Sequence, residues 1–225
     1  MRLWVRLIAA SLLCSAATGT AQNEASGNLP VIDLGYTRHR ATYNQTGKYF
    51  SFNGIRYSEP PLGKYRFRPA VAPFTVNRTI TDGGSLSLQC PQGTPEWSLS
   101  ATAAAENVTV EQLRQQQNDN PANTEDCLLV DVSVPRAIWE RRSRGKGAPV
   151  LVWIHGGGFV FGQRGTGYYS PSGLLARSQS DGEDGEDGVV YVALNYRLGL
   201  FGFLNDVDGA TPNVAILDQV LAFQW

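Results

Sequence analysis

The residues best suited to chemistry are His155-Gly156-Gly157-Gly158, which follow directly on the apolar run Pro149-Val-Leu-Val-Trp-Ile154. A continuous apolar run that breaks abruptly into glycine reads as a buried strand ending in a bare-backbone loop. Lacking Cβ atoms, such a loop lets a ligand come close to its peptide N–H groups. Those groups can stabilise the negative oxygen that develops when a carbonyl carbon is attacked, so the chemistry to expect is acyl transfer.

A loop of this kind needs a scaffold, and the neighbouring sequence predicts one. Val189-Val-Tyr-Val-Ala-Leu-Asn195 is a second nearly continuous apolar run, as expected for a strand covered on both faces. Asp126 to Val134 predicts a strand in which Leu128, Val130, Val132 and Val134 alternate with Leu129, Asp131 and Ser133. Gly47 to Tyr57, short alternating segments broken by glycine and asparagine, predicts a small antiparallel hairpin that Pro60-Pro61 ends. A surface helix is expected over Ser98 to Gln117, a loop over Asn118 to Thr124 and a short helix over Ser172 to Ser178. The last helix, Asn213 to Trp225, carries Val214, Leu217, Leu221 and Trp225 on one face, with Asn213 after Pro212 as its cap. Strands alternating with helices predict an open α/β sheet.

Arg2 and Arg6 flank an apolar segment over Leu7 to Ala17, and small residues at Gly19 and Ala21 suit cleavage before Gln22. Residues 1–21 therefore read as a secretory signal peptide, too short for a stable membrane anchor. Cys14 leaves with that peptide, and Cys90 and Cys127 are expected to pair in an oxidising compartment. A metal site is the competing reading, but two histidines in the whole chain leave too few ligands. Closing the Cys90–Cys127 loop would stabilise the fold by about 4 kcal/mol in the chain-entropy picture. Asn44, Asn77 and Asn107 each head an Asn-x-Thr acceptor pattern for N-glycosylation, expected on exposed loops. With a formal charge of −1, the chain has no electrostatic case for nucleic acid. The acidic run Ser180 to Gly188 reads as a solvated loop.

In order along the chain stand Gly54-Ile-Arg-Tyr with Glu59-Pro-Pro-Leu-Gly63 and Arg66-Phe67; Glu125-Asp-Cys-Leu128; His155-Gly-Gly-Gly-Phe159; Asn195-Tyr-Arg-Leu-Gly199 with Gly202-Phe-Leu204; and Leu217-Asp-Gln with Ala222-Phe-Gln-Trp225. On these motifs, residues 22–225 resemble the amino-terminal part of a type-B carboxylesterase, the cholinesterase-like branch of the α/β-hydrolases that also includes fungal extracellular lipases. The resemblance implies an α/β-hydrolase fold with a mostly parallel sheet, incomplete in this chain. It implies a secreted serine esterase acting on small-molecule or lipid esters, with no cofactor, and leaves the oligomeric state open.

Residue by residue, the resemblance makes Gly157 and Gly158 two of three oxyanion-hole donors. It pairs Cys90 with Cys127 as the family's first disulfide, and Arg66 with Glu125 and Arg197 with Asp218 as two structural ion pairs. By the same resemblance His155 shapes the oxyanion loop, and the catalytic base comes from much later in the sequence. Trp97 lies within the disulfide loop at a spacing from Cys90 that does not match a choline-binding tryptophan.

No Gly-x-Ser-x-Gly nucleophile elbow occurs before Trp225, and no acid or base of a triad accompanies it; His39 has no spacing that could replace them. The expectation is a chain inactive alone, with an open sheet edge beside the Val150 and Val189 strands. The alternative is a cholinesterase-like domain without catalysis that serves binding or adhesion. Serine in a downstream elbow would favour the enzyme, and glycine or alanine there the binder.

Overall fold

The computed structural model describes residues 29–82, 87–144, 147–165, 169–180 and 188–225. The signal peptide and the centre of the acidic run lie outside the described residues. The strands are β1 (Val31–Asp33), β2 (Arg38–Arg40), β3 (Thr42–Asn44), β4 (Tyr49–Arg56), β5 (Ile80–Asp82), β6 (Leu129–Pro135), β7 (Val150–Ile154) and β8 (Val190–Leu194). The helices are α1 (Glu96–Glu106), α2 (Val110–Asn118), α3 (Arg136–Glu140), α4 (Ser172–Ser178), α5 (Gly199–Phe203) and α6 (Val214–Gln224). They build a three-stranded sheet, β1-β2-β5, and a five-stranded sheet in the order β3-β4-β6-β8-β7.

The larger sheet is mixed. Pairing is antiparallel from β3 through β4 and β6 to β8, and parallel only between β8 and β7. The parallel step falls where a helix, α4, supplies the long crossover that parallel neighbours require. β8 inserts between β6 and β7 and is paired on both sides, so the edges of the larger sheet are β3 and β7, and on β7 Val150 is 58% exposed.

The hairpin lies one step earlier than expected. Residues 47–57 do not fold back on themselves; β4 is one eight-residue strand paired with β3 across a turn in which the Asn44 side chain accepts from Gly47 N–H at 2.7 Å. Gly54, read as punctuation, instead sits at a bulge: Phe52 pairs with Val132, but Ile55 pairs with Val130. The extra residue turns both Phe52 and Ile55 into the core, and Gly54 N–H donates to Asp131 at 2.8 Å.

The helix expected over residues 98–117 is two helices. Asn107 adopts a left-handed conformation, φ 55°, which ends α1; Thr109 then starts α2 through a capping box with Gln112. Leu99, Ala103 and Leu113 form a small core of their own between the two.

The two faces of the larger sheet differ. Val130, Leu194, Phe50 and Phe52 belong to the main core, against which the Cys90–Cys127 disulfide, Leu198 and Ala215 also pack. On the opposite face Tyr49, Tyr191 and Ala193 receive Leu175 of α4, and the Tyr49 and Ser172 hydroxyls meet at 2.9 Å.

Helix α6 buries Val214, Ala215 and Asp218, whereas Leu217 is 38% and Trp225 41% exposed. The inward face is therefore rotated from the expected one, because Asp218 must point inward to meet Arg197. Asn213 precedes the helix in a left-handed conformation and its side chain makes no capping hydrogen bond, so the expected cap is absent.

The two expected ion pairs form, in different surroundings. Arg197 reaches Asp218 at 2.6 Å with side chains 4% and 0% exposed, and also donates to Arg68 O at 2.8 Å. Arg66 meets Glu125 at 2.7 Å near the surface, with its guanidinium 4.9 Å from the Phe67 ring and 5.5 Å from that of Phe201. The large cost of stranding a buried charge therefore belongs to the first pair alone. Asp218→Ala should destabilise the fold by about 3–5 kcal/mol. Arg66→Ala should cost no more than about 1 kcal/mol. Chemical denaturation of the two variants side by side measures the difference.

Candidate active site

Strand β7 delivers the chain into the glycine loop, and the loop's conformation explains its composition. Gly157 has φ 123°, and a Cβ there would lie 1.9 Å from the carbonyl oxygen of Phe161. No other residue fits that position. Gly162, at φ 115°, closes the loop so tightly that a Cβ would fall 2.4 Å from both Gly156 O and His155 Nδ1.

The loop is held by its carbonyls. Tyr196 hydroxyl donates to His155 O at 3.1 Å, and His155 Nδ1 to Gly156 O at 2.9 Å. Gly157 O accepts from the N–H groups of Val160 and Phe161 at 3.1 and 3.2 Å. Phe159 O accepts from Gly199 at 2.7 Å, Val160 O from Gly93 at 2.6 Å, and Gly162 O from Gln92 Nε2 at 3.1 Å. The N–H groups of Gly157 and Gly158, by contrast, donate to nothing among the described residues. Gly158 is exposed and Gly157 partly so.

His155 is 2% exposed and its ring stacks on Tyr196 at 4.6 Å between centroids. A carbonyl can only accept, so the contact with Gly156 places the ring proton on Nδ1. Burial holds the imidazole below the ordinary histidine pKa, against the opposing pull of that hydrogen bond. His155 is thus a neutral brace of the loop. His39 lies in β2 of the other sheet, 3% exposed, and burial lowers its pKa too.

The disulfide joins Cys90 and Cys127, with Cα atoms 5.0 Å apart, and packs in the main core. Around it runs a polar network of which only Asn195 stood in a sequence motif. Asn195 Nδ2 donates to Cys127 O at 3.2 Å and to Leu88 O at 3.0 Å, while its Oδ1 accepts from Arg164 N–H at 2.8 Å. Arg164, 4% exposed, pairs with Asp131 at 2.7 Å and donates to Leu88 O at 2.6 Å. The one available signal was Asn195 itself, a polar residue ending an apolar strand.

The other predicted residues lie apart from the loop. Asn77 and Asn107 are exposed, the latter between α1 and α2; Asn44 is half-buried at the end of β3 rather than on an open loop. Trp97 is a surface residue of α1, 71% exposed. Among the described residues no cluster of His, Cys, Asp or Glu could hold a metal ion, and no helix is long and apolar enough to cross a membrane.

A helix-linked parallel strand pair, with a glycine loop at the carboxyl end of β7 in which Gly157 and Gly158 N–H are unengaged among the described residues, fits an α/β-hydrolase scaffold. The profile described as "Carboxylesterase family" matches residues 30–225, and the chain belongs to that family. It is 39% identical over 244 residues to carboxylesterase patB of Aspergillus clavatus, covering 97% of this chain and 42% of that protein. It is 37% identical over 235 residues to carboxylesterase patB of Penicillium expansum, covering 92% and 41%. The crystal structure of Aspergillus niger EstA superposes with a TM-score of 0.64 at 28% identity, over 88% of this chain and 32% of that one. The chain thus spans about two fifths of the length of these curated relatives.

The histidines give a pH dependence of stability. Their folded pKa values lie below that of an unfolded histidine, about 6.5. The unfolded chain therefore binds protons first, and stability present above about pH 6.5 is lost as the pH falls toward the folded values. Thermal midpoints should fall between pH 7 and 5.5, and His155→Asn, which keeps a donor for Gly156 O, should flatten that fall.

Proposed function

We propose that the whole protein is a secreted carboxylic ester hydrolase acting on small-molecule or lipid esters. The observation that carries this reading is the pair of N–H groups at Gly157 and Gly158, unengaged among the described residues, in a loop held by hydrogen bonds to the carbonyls of His155, Gly156, Gly157, Phe159, Val160 and Gly162. Donors held this way need no reorganisation when charge develops, which is what oxyanion stabilisation requires. A serine supplied by sequence beyond Trp225 attacks the ester carbonyl carbon. The carbonyl π electrons move to oxygen, where Gly157 and Gly158 donate; collapse expels the alcohol, and water then releases the acid from the acyl-enzyme. The acid and base of the triad come from the same missing portion.

Export follows from the amino-terminal segment and agrees with the disulfide. Asn77 and Asn107 are the better-placed glycan acceptors, since the Asn44 side chain is half-buried and engaged in its turn. Enzymatic deglycosylation of the secreted protein should lower its intact mass, and the shift should vanish in the Asn77→Gln/Asn107→Gln double variant.

The native protein should hydrolyse p-nitrophenyl esters and be titrated by a serine-directed phosphonate. Gly157→Ala, which forces the loop away from Phe161, should lower kcat by about 10²-fold or more. A native protein with neither hydrolysis nor labelling would reverse the reading in favour of a binding domain.

A further inference from the structure

One side chain joins the glycine loop to the disulfide. Gln92 lies two residues beyond Cys90, and its Nε2 donates to Cys90 O at 2.6 Å and to Gly162 O at 3.1 Å. Its Oε1 accepts from Gly162 N–H at 2.6 Å. The next residue adds a backbone bond, from Gly93 N–H to Val160 O at 2.6 Å. Residues 160–162 form the wall behind Gly157: the Phe161 carbonyl occupies the space a Cβ there would need, and Val160 and Phe161 donate to Gly157 O.

We propose that Gln92 is the positioning residue of the oxyanion loop, transmitting the constraint of the Cys90–Cys127 disulfide to the N–H groups of Gly157 and Gly158. The bridge fixes the Cys90 carbonyl, that carbonyl orients the Gln92 amide, and the amide grips both backbone groups of Gly162. An amide is required because the position must donate to two carbonyls and accept from one N–H simultaneously. Glutamine does both with one planar group; glutamate at neutral pH would set a carboxylate oxygen against two carbonyl oxygens. The role of the loop in catalysis rests on the esterase reading above, whereas the mechanical link does not.

Two measurements on the native protein separate these. In hydrogen–deuterium exchange, Gln92→Ala should exchange faster than wild type in peptides covering residues 155–163, by about tenfold. Reduction of the disulfide should do the same to wild type and add little to Gln92→Ala. Unchanged exchange in Gln92→Ala, or an equal response to reduction in both proteins, overturns the proposal whatever the activity.

In ester hydrolysis, Gln92→Ala should lower kcat by about ten- to a hundredfold with KM little changed, because a misplaced donor is felt in the transition state. Gln92→Glu should show a similar deficit near pH 8 that narrows as the pH falls toward the carboxyl range, where protonation restores one donor. Altered exchange with normal kcat in both variants refutes the catalytic half. Absence of hydrolysis in wild type refutes the esterase reading, and the exchange result still decides the link.

Discussion

A loop that must offer its N–H groups to a ligand cannot use them to hold itself in place. Backbone polar groups are normally paired within the fold, and here the turn at Gly157 and Gly158 is secured without the use of their own N–H groups. From His155 to Gly162 the structure secures carbonyls, with donors drawn from Tyr196, Gly199, Gly93, Gln92 and the loop's own residues. Those donors come from separate stretches of chain, so the loop's shape exists only once they have assembled. The sheet order, the disulfide and the burial of Tyr196 all contribute to that condition.

The buried Arg197–Asp218 pair fits the same logic at larger scale. Arg197 follows Tyr196 directly, and its guanidinium ties the segment after β8 to α6 on one side and to Arg68 O on the other. Without that anchor, neither the tyrosine that braces His155 nor the Gly199 N–H that holds Phe159 has a fixed position. The Arg66–Glu125 pair, near the surface and leaning on two phenylalanine rings, trims a neighbouring surface and carries no comparable burden.

The sequence made parts of this legible because their causes are local. β7, β8 and α4 are where apolar runs and turn residues put them, and the glycine triplet marks its own loop. The two-helix form of residues 96–118 was equally local, in Asn107 and the Thr109 capping box, but alanine-rich flanks masked it. The face of α6 and the bulge at Gly54 depended instead on distant partners, Arg197 and Asp131. Gln92 is the extreme case: its contacts with Gly162 span seventy positions, and a lone glutamine after a cysteine carries no periodicity or motif to find it by.

The helix pair α1–α2 has a small core of its own and lies wholly between the two bridged cysteines. Its connection to the remainder of the fold is therefore a staple at its base more than a broad packed surface. A protease cutting at the exposed turn around Asn107 would leave two polypeptides still joined covalently, migrating as one until reduced. Lengthening the turn would cost only the slowly growing entropy of a larger closed loop. The excursion is thus a place where the chain can be nicked, extended or exchanged between relatives while the scaffold beneath the glycine loop stays as it is.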